Sequence, residues 1–465
     1  MTYVPPVGDA TDIKKGLVQL AGDLSGTAAA PLVASNTITE PKLAVSNSPA
    51  SNQVLSWNGS AMSWTNLTGG SVTIAATAKA YVYQDAGNTI AIRRDGSVIS
   101  TLATTAANNT TVINAAIDDA AGALVAGSYG NGGLVQLSDN QFSVSGSIVI
   151  KYGVSLRGIS RTFDRGGSVY NSTNQCANGT SLRATTNNMK VITAGVTTSG
   201  NGVHLATNPH GFEISHLQVD GHGVSGATGI YIKDVTDPKI TSVTVADCAI
   251  GIDVDSSQPP NEGGTVACKI IQCDILGCST GINVNGASGG TDSEITSCRI
   301  LGHSVMGVVL SKGGWQIAQC HMTSSSAQHL DISGSPAMVT GNYLDTSGVN
   351  PQITISTGNV SVVGNYFTCS GTQLGAAIEM SGNGYRSVIS SNTCDIGANT
   401  TAFVKLPTGT VSTMPVVILG NSIDVGVSPN FVAIVTNSSG VAVADQDTVS
   451  GPYIKGNRTF AGDGG

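Results

Sequence analysis

The feature that most constrains the fold of this chain is a six-residue frame that recurs through its second half. Each copy opens on an aliphatic residue, and the copies start 22 to 36 residues apart, at Ile214, Ile240, Ile270, Ile295, Ile317, Val339, Val362, Ile389, Ile418 and Ile454. The fourth position changes slowly and runs Leu217, Val243, Cys273, Cys298, Cys320, Asn342, Asn365, Asn392, Asn421 and Asn457. Because like residues follow like, we expect these positions to stack in successive coils of a repeat architecture.

A second frame, apolar-x-apolar, lies between successive copies of the first. It occurs at Ile230–Ile232, Ile252–Val254, Ile282–Val284, Val308–Leu310, Leu330–Ile332, Ile353–Ile355, Ile378–Met380 and Val404–Leu406. Two short strands of period two in each repeat, separated by Gly, Ser, Asn and Asp, are typical of strands joined by tight turns. The sequence therefore predicts an all-β solenoid, a parallel β-helix.

The composition fits a stack of coils and argues against several other classes of protein. Charged residues make up 11% of the 465 residues and Gly numbers 59, which is unlike both a helical enzyme and a charged disordered tail. The net charge of −8, without a basic cluster, argues against nucleic acid as a partner. No apolar run reaches about 18 residues, so we expect no membrane insertion.

The fourth position of the frame predicts two stacks inside the solenoid. Cys273, Cys298 and Cys320 come from consecutive coils, whose spacing of about 4.8 Å allows disulfides. Free cysteine packs as a small hydrophobe, so we predict a reduced, buried stack instead. The five asparagines that follow need partners for their buried amides, and we expect them to bond to one another and to the backbone. No zinc spacing is present, and we predict neither a metal nor a cofactor.

The chain divides into three predicted regions: residues 1–70, 71–109 and 110–465. The first is Gly-punctuated, contains a hairpin signal at Asn58–Gly59, and cannot build a large core, so we expect it to order by trimerising or by docking on a partner, with a flexible tail as the alternative. Residues 71–109 form a short β linker. Residues 110–124 predict a short amphipathic capping helix with Thr110 or Thr111 as its N-cap, and residues 161–201 break the strand rhythm and predict an insertion.

The start of the third region resembles a known superfamily. A helix is followed by Gly132-Gly-Leu-Val-Gln-Leu137, an apolar strand and Gly153-Val-Ser-Leu-Arg-Gly158, an order similar to the start of the right-handed β-helices of the pectate-lyase superfamily, which many phage tailspikes share. Independently, Gly22-Asp-Leu-Ser-Gly-Thr27 and Leu55-Ser-Trp-Asn-Gly59 are similar to the N-terminal segments of phage tail fibres. The resemblance implies a right-handed helix in a homotrimeric tail spike or tail fibre.

The same resemblance implies where the protein works and what it contacts. A tail spike or fibre is made in the host cytoplasm, belongs to the virion, and acts outside the cell. Its partners would be host surface polysaccharide, which some members cleave, and other tail or baseplate proteins, which residues 1–70 would contact as the virion-attachment and trimerisation region.

The residue after the fourth position of each frame is expected to face outward, so neighbouring coils place these residues side by side. We call this set the tyrosine row: Gln218, Thr244, Asp274, Arg299, His321, Tyr343, Tyr366, Thr393, Ser422 and Arg458. Asp274, Arg299, His321, Tyr343 and Tyr366 are the predicted glycan-binding residues, because aromatic faces pack on sugar rings and polar groups bond to hydroxyls. The simpler interpretation is a solvated ladder in which Asp274 pairs with Arg299.

The second frame projects another outward set, the carboxylate row: Tyr231, Asp253, Asn283, Val309, Asp331, Thr354, Glu379 and Lys405. Asp331 and Glu379 lie two coils apart, which is about 9.5 Å. Inverting glycosidases place their two carboxyls about 6.5–9.5 Å apart, so Asp331 and Glu379 are the predicted catalytic pair. Two carboxylates on one long sheet are also expected by chance, and Asp253 with Asp255 points the same way and could instead lie near Glu262.

Three functions follow from this sequence. The first is a virion tail spike or fibre subunit that binds host polysaccharide during adsorption. The second is a depolymerase on the same virion protein, either an inverting glycoside hydrolase or a lyase. A calcium-dependent lyase would need clustered acids, and Asp234, Asp237, Asp247, Asp253 and Asp255 keep it open. The third is a secreted polysaccharide lyase or adhesin, against which the N-terminus counts because it shows no export signal.

Overall fold

The structure is a computed structural model, and two compact units, Met1–Thr73 and Ile74–Gly465, make up the chain. It describes residues 24–27, 30–33, 53–57, 62–66, 78–122, 132–151, 153–160, 179–195, 211–221, 223–256, 265–286, 292–324, 327–345, 351–369, 375–381, 386–396, 400–407, 416–425, 431–444 and 452–460.

The first unit contains two antiparallel strand pairs. Strand β1 (Leu24–Thr27) pairs with β2 (Ala30–Val33), and β3 (Gln53–Trp57) pairs with β4 (Met62–Asn66). The second pair has Leu55 opposite Trp64, so the strands of the predicted hairpin are present. The Asn58–Gly59 turn itself lies outside the described residues.

The second unit opens with an antiparallel meander and a helix. Strands β5 (Ala78–Asp85), β6 (Asn88–Arg93) and β7 (Val98–Ala103) precede helix α1 (Ala106–Ala121). The predicted helix start was wrong, because the N-cap is Thr105, whose side chain accepts a hydrogen bond from the backbone N–H of Asn108 at 3.2 Å. Asn109 is buried on the core side and donates to the carbonyl of Ser143, and this polar residue interrupts the apolar spacing.

Every remaining element is a short strand. The first of them are β8 (Gly133–Leu137), β9 (Gln141–Val144), β10 (Ile148–Ile150), β11 (Val154–Arg157), β12 (Ser181–Ala184), β13 (Lys190–Gly195), β14 (Glu213–Ser215), β15 (Gln218–Asp220), β16 (Thr228–Lys233), β17 (Lys239–Thr241), β18 (Thr244–Ala246), β19 (Ile250–Asp255), β20 (Lys269–Ile271), β21 (Asp274–Leu276), β22 (Thr280–Asn285), β23 (Ser293–Thr296), β24 (Arg299–Leu301) and β25 (Met306–Leu310). The rest are β26 (Trp315–Ala318), β27 (His321–Thr323), β28 (Gln328–Ile332), β29 (Ala337–Thr340), β30 (Tyr343–Asp345), β31 (Ile353–Ile355), β32 (Val360–Val363), β33 (Tyr366–Cys369), β34 (Gly375–Met380), β35 (Val388–Ser390), β36 (Thr393–Ile396), β37 (Thr400–Lys405), β38 (Val417–Leu419), β39 (Ser422–Asp424), β40 (Ala433–Thr436), β41 (Tyr453–Lys455) and β42 (Arg458–Phe460).

These strands form three long sheets. From β8 onward every third strand joins the same sheet in parallel register. Sheet B has 12 strands and sheet C has 11, and sheet A has 15 because β5, β6 and β7 also belong to it. The first frame places Ile214 to Ile454 in line along sheet A, and the second places Ile230 to Val404 in line along sheet C. The aliphatic side chains of all three sheets form one continuous core. The fold is therefore the predicted right-handed parallel β-helix.

The N-terminal end of the β-helix is covered by the meander and by helix α1. Strand β5 pairs in parallel with β8 and extends sheet A into β6 and β7. The buried face of α1, which includes Val112, Ile113, Ala116 and Ile117, joins the same core. Helix α1, the only helix among the described residues, is not long and apolar enough to cross a membrane.

The bend between sheets A and B depends on the third residue of each frame. That residue has a positive φ in all ten coils, for example 54° at Ser242, 56° at Gln319 and 64° at Gly341. The left-handed conformation turns the chain sharply and points the next residue, at the fourth position, into the core. This local rule explains why the fourth position stacks.

Both predicted stacks are confirmed. The eight cysteines that the structure describes are free and buried. In the asparagine ladder, Asn342 Nδ2 donates to Asn365 Oδ1 at 2.9 Å, and the same bond repeats down to Asn457. Each of these Nδ2 groups also donates to a backbone carbonyl of the preceding coil, as Asn365 does to Val339 at 2.9 Å. The ladder thus pairs the buried amides with one another and with the backbone.

The predicted insertion at residues 161–201 was partly wrong. Strands β12 and β13 lie inside it and keep the register of the helix, since Leu182 pairs with Val219 and Ile192 pairs with Ile230. Residues 161–178 and 196–201 of this segment lie outside the described part of the chain. The segment was misread because more residues separate its two strands from their partners in the next coil than separate the later frames from one another.

Candidate functional site

The tyrosine row lies on the outer face of sheet B with the register that the sequence predicts. Asp274 is opposite Arg299, and Arg299 is opposite His321. His321 is in turn opposite Tyr343, and Tyr343 is opposite Tyr366. The structure therefore brings all five predicted glycan-binding residues together on consecutive strands.

The row has a charged part and an aromatic part. Arg299 Nε donates to Asp274 Oδ1 at 2.6 Å, so the pair that the simpler interpretation requires is present. The ring centroids of His321 and Tyr343 are 4.8 Å apart, and those of Tyr343 and Tyr366 are 5.5 Å apart. Tyr343 and Tyr366 keep 37% and 42% of their surface exposed, so their rings form an open aromatic platform. A ladder of charge pairs does not account for two exposed tyrosines.

A line of acidic and hydroxyl groups runs beside the platform. Two residues after each tyrosine, Asp345 and Thr368 face outward on the same strands, and Thr368 Oγ1 donates to Asp345 Oδ1 at 2.5 Å. Asp395 and Asp424 continue this line in register on β36 and β39. The pKa of Tyr366 is raised mainly by burial and, to a smaller extent, by the negative charge of Asp395. These groups were not among the predicted site residues, because only one outward position was considered on each strand. Side chains alternate between the two faces of a strand, so the residue two positions after each tyrosine could have been predicted to face outward as well.

The carboxylate row lies on sheet C, also in the predicted register. Asp331 is opposite Thr354, which is opposite Glu379, so the two acids are two coils apart. Asp331 is half-buried, and this burial raises the pKa of its carboxyl. Glu379 Oε1 accepts a hydrogen bond from Lys405 Nζ at 3.1 Å. The two carboxyls thus have different environments, which is the arrangement that separates an acid from a base.

The other end of the carboxylate row carries a polar cluster that the sequence did not reveal. Tyr231 Oη donates to Asp255 Oδ2 at 2.9 Å, and Lys233 Nζ lies 3.7 Å from the same oxygen. Lys190 Nζ lies 3.0 Å from the centroid of the Tyr231 ring, and burial lowers the pKa of this lysine. Lys190 was missed because it falls in the segment that the sequence predicts as an insertion.

Asp253 and Asp255 are held within this cluster. The Nδ2 groups of Asn283 and Asn285 both donate to Asp253 Oδ1, at 2.9 and 3.0 Å. Burial raises the pKa of Asp253, and these two amides oppose that effect. Glu262, the other residue considered as a neighbour, lies outside the described residues. The contacts of the two aspartates are those of a tightly bonded network within the sheet.

Three of the five acids considered for a calcium-dependent lyase take up turn positions. Asp234, Asp237 and Asp247 each have φ of 52°, in the left-handed region that Asp and Asn tolerate best among residues with side chains. Within the described ranges, no three His, Cys, Asp or Glu side chains lie close enough together to hold a metal ion. The clustering of these aspartates in sequence therefore reflects the geometry of the coils.

A family model and one viral protein match parts of the sequence. Residues 8–78 match a family model described as a repeat of unknown function, DUF5907. The chain is also 55% identical over 47 residues to the uncharacterized protein 091L of Invertebrate iridescent virus 3, which is 10% of this chain and 4% of that protein.

Solved structures resemble the β-helix. The tailspike protein of E. coli bacteriophage HK620, determined in complex with a pentasaccharide, matches 80% of this chain and 65% of its own at 14% identity, with a TM-score of 0.55. The chain shares its fold with a phage tailspike. ORF18 of Geobacillus virus E2 matches 70% of this chain and 56% of its own at 18% identity, with a TM-score of 0.45. The A-module of mannuronan C-5 epimerase AlgE6 from Azotobacter vinelandii matches 76% and 95% at 12% identity, with a TM-score of 0.46. The chain spans less than two thirds of each of the two viral structures.

Proposed function

We propose that this protein is a tail spike or tail fibre subunit that binds host surface polysaccharide through the tyrosine row. The observation that carries the proposal is the exposed pair of neighbouring rings, Tyr343 and Tyr366, in one row with the Asp274–Arg299 pair. Sugars present apolar ring faces edged with hydroxyls, so exposed aromatic rings in one row with a carboxylate and a guanidinium are complementary to them.

The virion role rests on the N-terminal sequence and on the fold. Residues 1–70 resemble tail fibre segments, and residues 8–78 match a repeat family. In the proposal this region attaches the protein to other tail or baseplate proteins. The subunit forms a homotrimer, is made in the host cytoplasm, and presents its β-helix outside the cell during adsorption. The pentasaccharide in the HK620 tailspike complex supports a glycan as the ligand of this fold.

A binding experiment with matched tyrosine variants tests this function. The purified full-length protein is applied to an array of bacterial capsular and O-antigen polysaccharides, and the affinity of any hit is measured by calorimetry. Tyr366→Ala removes half of the platform and should weaken binding about 5-fold or more, since an aromatic side chain packed on a sugar contributes about 1–3 kcal/mol when its surface is fully used.

Tyr453→Ala is the control, because Tyr453 is a partly exposed tyrosine on sheet A. It should bind as the wild type does. Equal losses in the two variants would remove the tyrosine row from the proposal, and no binding by the wild-type protein to any bacterial polysaccharide would overturn the function.

A second candidate function is cleavage of the same polysaccharide, and the environments of Asp331 and Glu379 favour it. Asp331, whose pKa is raised by burial, would protonate the leaving glycosidic oxygen. Glu379, held by the Lys405 ammonium, would take the proton of the attacking water on the other side of the sugar. The water oxygen bonds to the anomeric carbon as the glycosidic bond breaks, so the reaction inverts the configuration.

Product sizing after incubation with the bound polysaccharide tests the enzymatic proposal. Discrete short products, lost in both Asp331→Asn and Glu379→Gln, are the expected result. Glu294→Gln is the control, since Glu294 is a partly exposed carboxylate on sheet A and outside both rows. Unchanged polymer length with the wild-type protein would leave a binding protein without depolymerase activity, and cleavage that survives both variants would place the catalytic groups elsewhere.

A further inference from the structure

The outer face of sheet A changes character along the helix. On β14, β17, β20 and β23 its outward residues include four charged side chains in one line: Glu213, Lys239, Lys269 and Glu294. On β29, β32, β35 and β38 no outward residue is charged. The eight outward residues of these four strands, which we call the apolar strip, are Met338, Thr340, Ser361, Val363, Val388, Ser390, Val417 and Leu419. Lys455 on the next strand, β41, ends the strip.

The apolar strip is open to solvent in the single chain. Its residues alternate along each strand with core residues, which are Val339, Val362, Ile389 and Ile418, so they face away from the core. Met338 is 47% and Leu419 is 40% exposed, and the six residues between them are partly exposed. Adjacent apolar side chains that remain in water across several strands mark a surface that another molecule covers.

The other two outer faces of the same coils carry carboxylates. Asp345, Asp395 and Asp424 lie on sheet B, and Asp331 and Glu379 lie on sheet C. Because the net charge of the chain is −8, two copies that met through such faces would bring like charges together. A different protein could offer complementary charges, so a surface without charge favours a second copy of this chain as the occupant.

The bend between sheets A and B is bare beside the strip. In the five coils before the strip, the third residue of the frame has a side chain and a positive φ: His216, Ser242, Gln272, Ser297 and Gln319. Beside the strip the same position is Gly341, Gly364, Ser391 and Gly420. A Cβ on any of these three glycines would meet no atom within 4 Å, so packing inside the chain does not require glycine there. Exposed backbone without side chains lets another chain approach closely.

We propose that copies of this chain meet through the apolar strip, strip against strip, in the homotrimer of the proposed function, on which this inference rests. Around a threefold axis the same strip of each copy faces the axis, so apolar side chains are covered and no charge is buried. The tyrosine row and the carboxylate row lie on the other two sheets and stay open to the glycan.

The strip forms the centre of a larger contact. Four strands about 4.8 Å apart, with three residues each, cover roughly 20 Å by 10 Å, whereas a stable interface uses about 800 Å² of each partner. The contact therefore extends over the glycine-lined bend on one side and over the turns before β32 and β35 on the other, where Asn359 and Arg386 are exposed. An apolar centre with a polar rim is the usual composition of a protein interface.

Oxidation of Met338 measures whether the strip is covered. Peroxide converts an accessible methionine to its sulfoxide, and Met338 is accessible in the single chain. The full-length protein is treated with peroxide, the modified peptides are quantified by mass spectrometry, and sedimentation gives the oligomeric state. Val388→Lys and Val363→Lys place a charge in the middle of the strip at partly exposed positions. Val149→Lys is the control, because Val149 is an exposed valine on the outer face of sheet C and outside both rows.

The wild type and Val149→Lys should sediment as trimers in which Met338 is protected. Val388→Lys and Val363→Lys should raise the concentration at which the copies separate about 100-fold, because like charges would meet in the interface, and Met338 should become oxidised. Circular dichroism establishes that each variant is folded. Ready oxidation of Met338 in the wild type, whether monomer or trimer, would overturn the interface, and so would folded strip variants that keep both the trimer and the protection.

Binding of the polysaccharide fragment is measured on the same samples and separates this proposal from the glycan function. An exposed strip with intact fragment binding would overturn the interface alone. A protected strip in a wild-type protein that binds no polysaccharide would support the interface and overturn the glycan function.

Discussion

Replacing one asparagine in the middle of the ladder should destabilise the helix strongly. Asn392 Nδ2 donates to Asn421 Oδ1 at 2.9 Å and to the Val362 carbonyl at 3.0 Å. Its Oδ1 accepts from the backbone N–H of Asn365 at 2.9 Å and from Asn365 Nδ2 at 3.0 Å. Asn392→Ala deletes all four bonds and leaves two donors of Asn365 buried without partners.

The magnitude follows from the groups that are left behind. Each buried donor or acceptor that loses its partner costs about 1–3 kcal/mol. Asn365 Nδ2 keeps its bond to the Val339 carbonyl, so we take the lower part of this range for each of the three groups, the two Asn365 donors and the Val362 carbonyl. The expected loss in the free energy of unfolding is then roughly 3–5 kcal/mol, which is at the upper end for single substitutions. The ladder geometry, and not the loss of apolar contact, accounts for this value.

Asn457→Ala is the matched control, because Asn457 ends the ladder and is only half-buried. It accepts the same two bonds from Asn421, but water can replace them there, so we expect a loss of about 1 kcal/mol. Urea titrations followed by circular dichroism compare the variants with the wild type, and unfolding half-lives replace them if refolding is incomplete. Equal losses in the two variants, or a loss below about 1 kcal/mol in Asn392→Ala, would refute the reasoning.

Two other predictions concern stability. Burial lowers the pKa of His303 to about 4 and that of His329 to about 3, so both are neutral in the folded state at pH values where the unfolded chain, with a pKa of 6.5, takes up protons. Stability should therefore be fully present above pH 6.5 and fall as the pH drops towards 4; urea titrations should show this, and a His303→Gln variant that loses as much stability as the wild type would contradict it. Gly251→Ala would place a methyl carbon 2.5 Å from the carbonyl oxygen of Gly281 in the next coil, so we expect a loss of about 1–3 kcal/mol in the same titration, and an unchanged midpoint would contradict this close packing.

The coil register could be read from the sequence because each strand exposes one face to the core. A slip of one residue would turn Ile270 or Ile295 outward, so the aliphatic positions specify the pairing uniquely. The same rule places Asp274 beside Arg299 and Tyr343 beside Tyr366 without any knowledge of the structure. The two frames thus specified the order of residues along the outer faces.

What the sequence did not reveal depends on contacts between distant segments or on shelter from water. The start of α1 was misjudged because Asn109 is buried and bonds to Ser143 on another element. Lys190 and Tyr231 meet only because β13 and β16 are neighbours, a pairing hidden by an irregular segment. The burial of Thr244 could not be predicted, because the alternation of side chains along a strand places this residue on the outer face, where it is expected to be exposed. Whether another part of the protein covers an outer residue cannot be read from the alternation.

The outer face of sheet B is the proposed glycan-binding face, and the proposed function depends on it. Hydroxyl-radical footprinting, with and without the bound polysaccharide fragment, measures this directly through oxidation of individual tyrosines. We expect the fragment to protect Tyr343 and Tyr366 on sheet B and to leave the oxidation of Tyr453 on sheet A unchanged. Protection of Tyr453 with unprotected Tyr343 and Tyr366 would place the glycan on another face and contradict the proposed site.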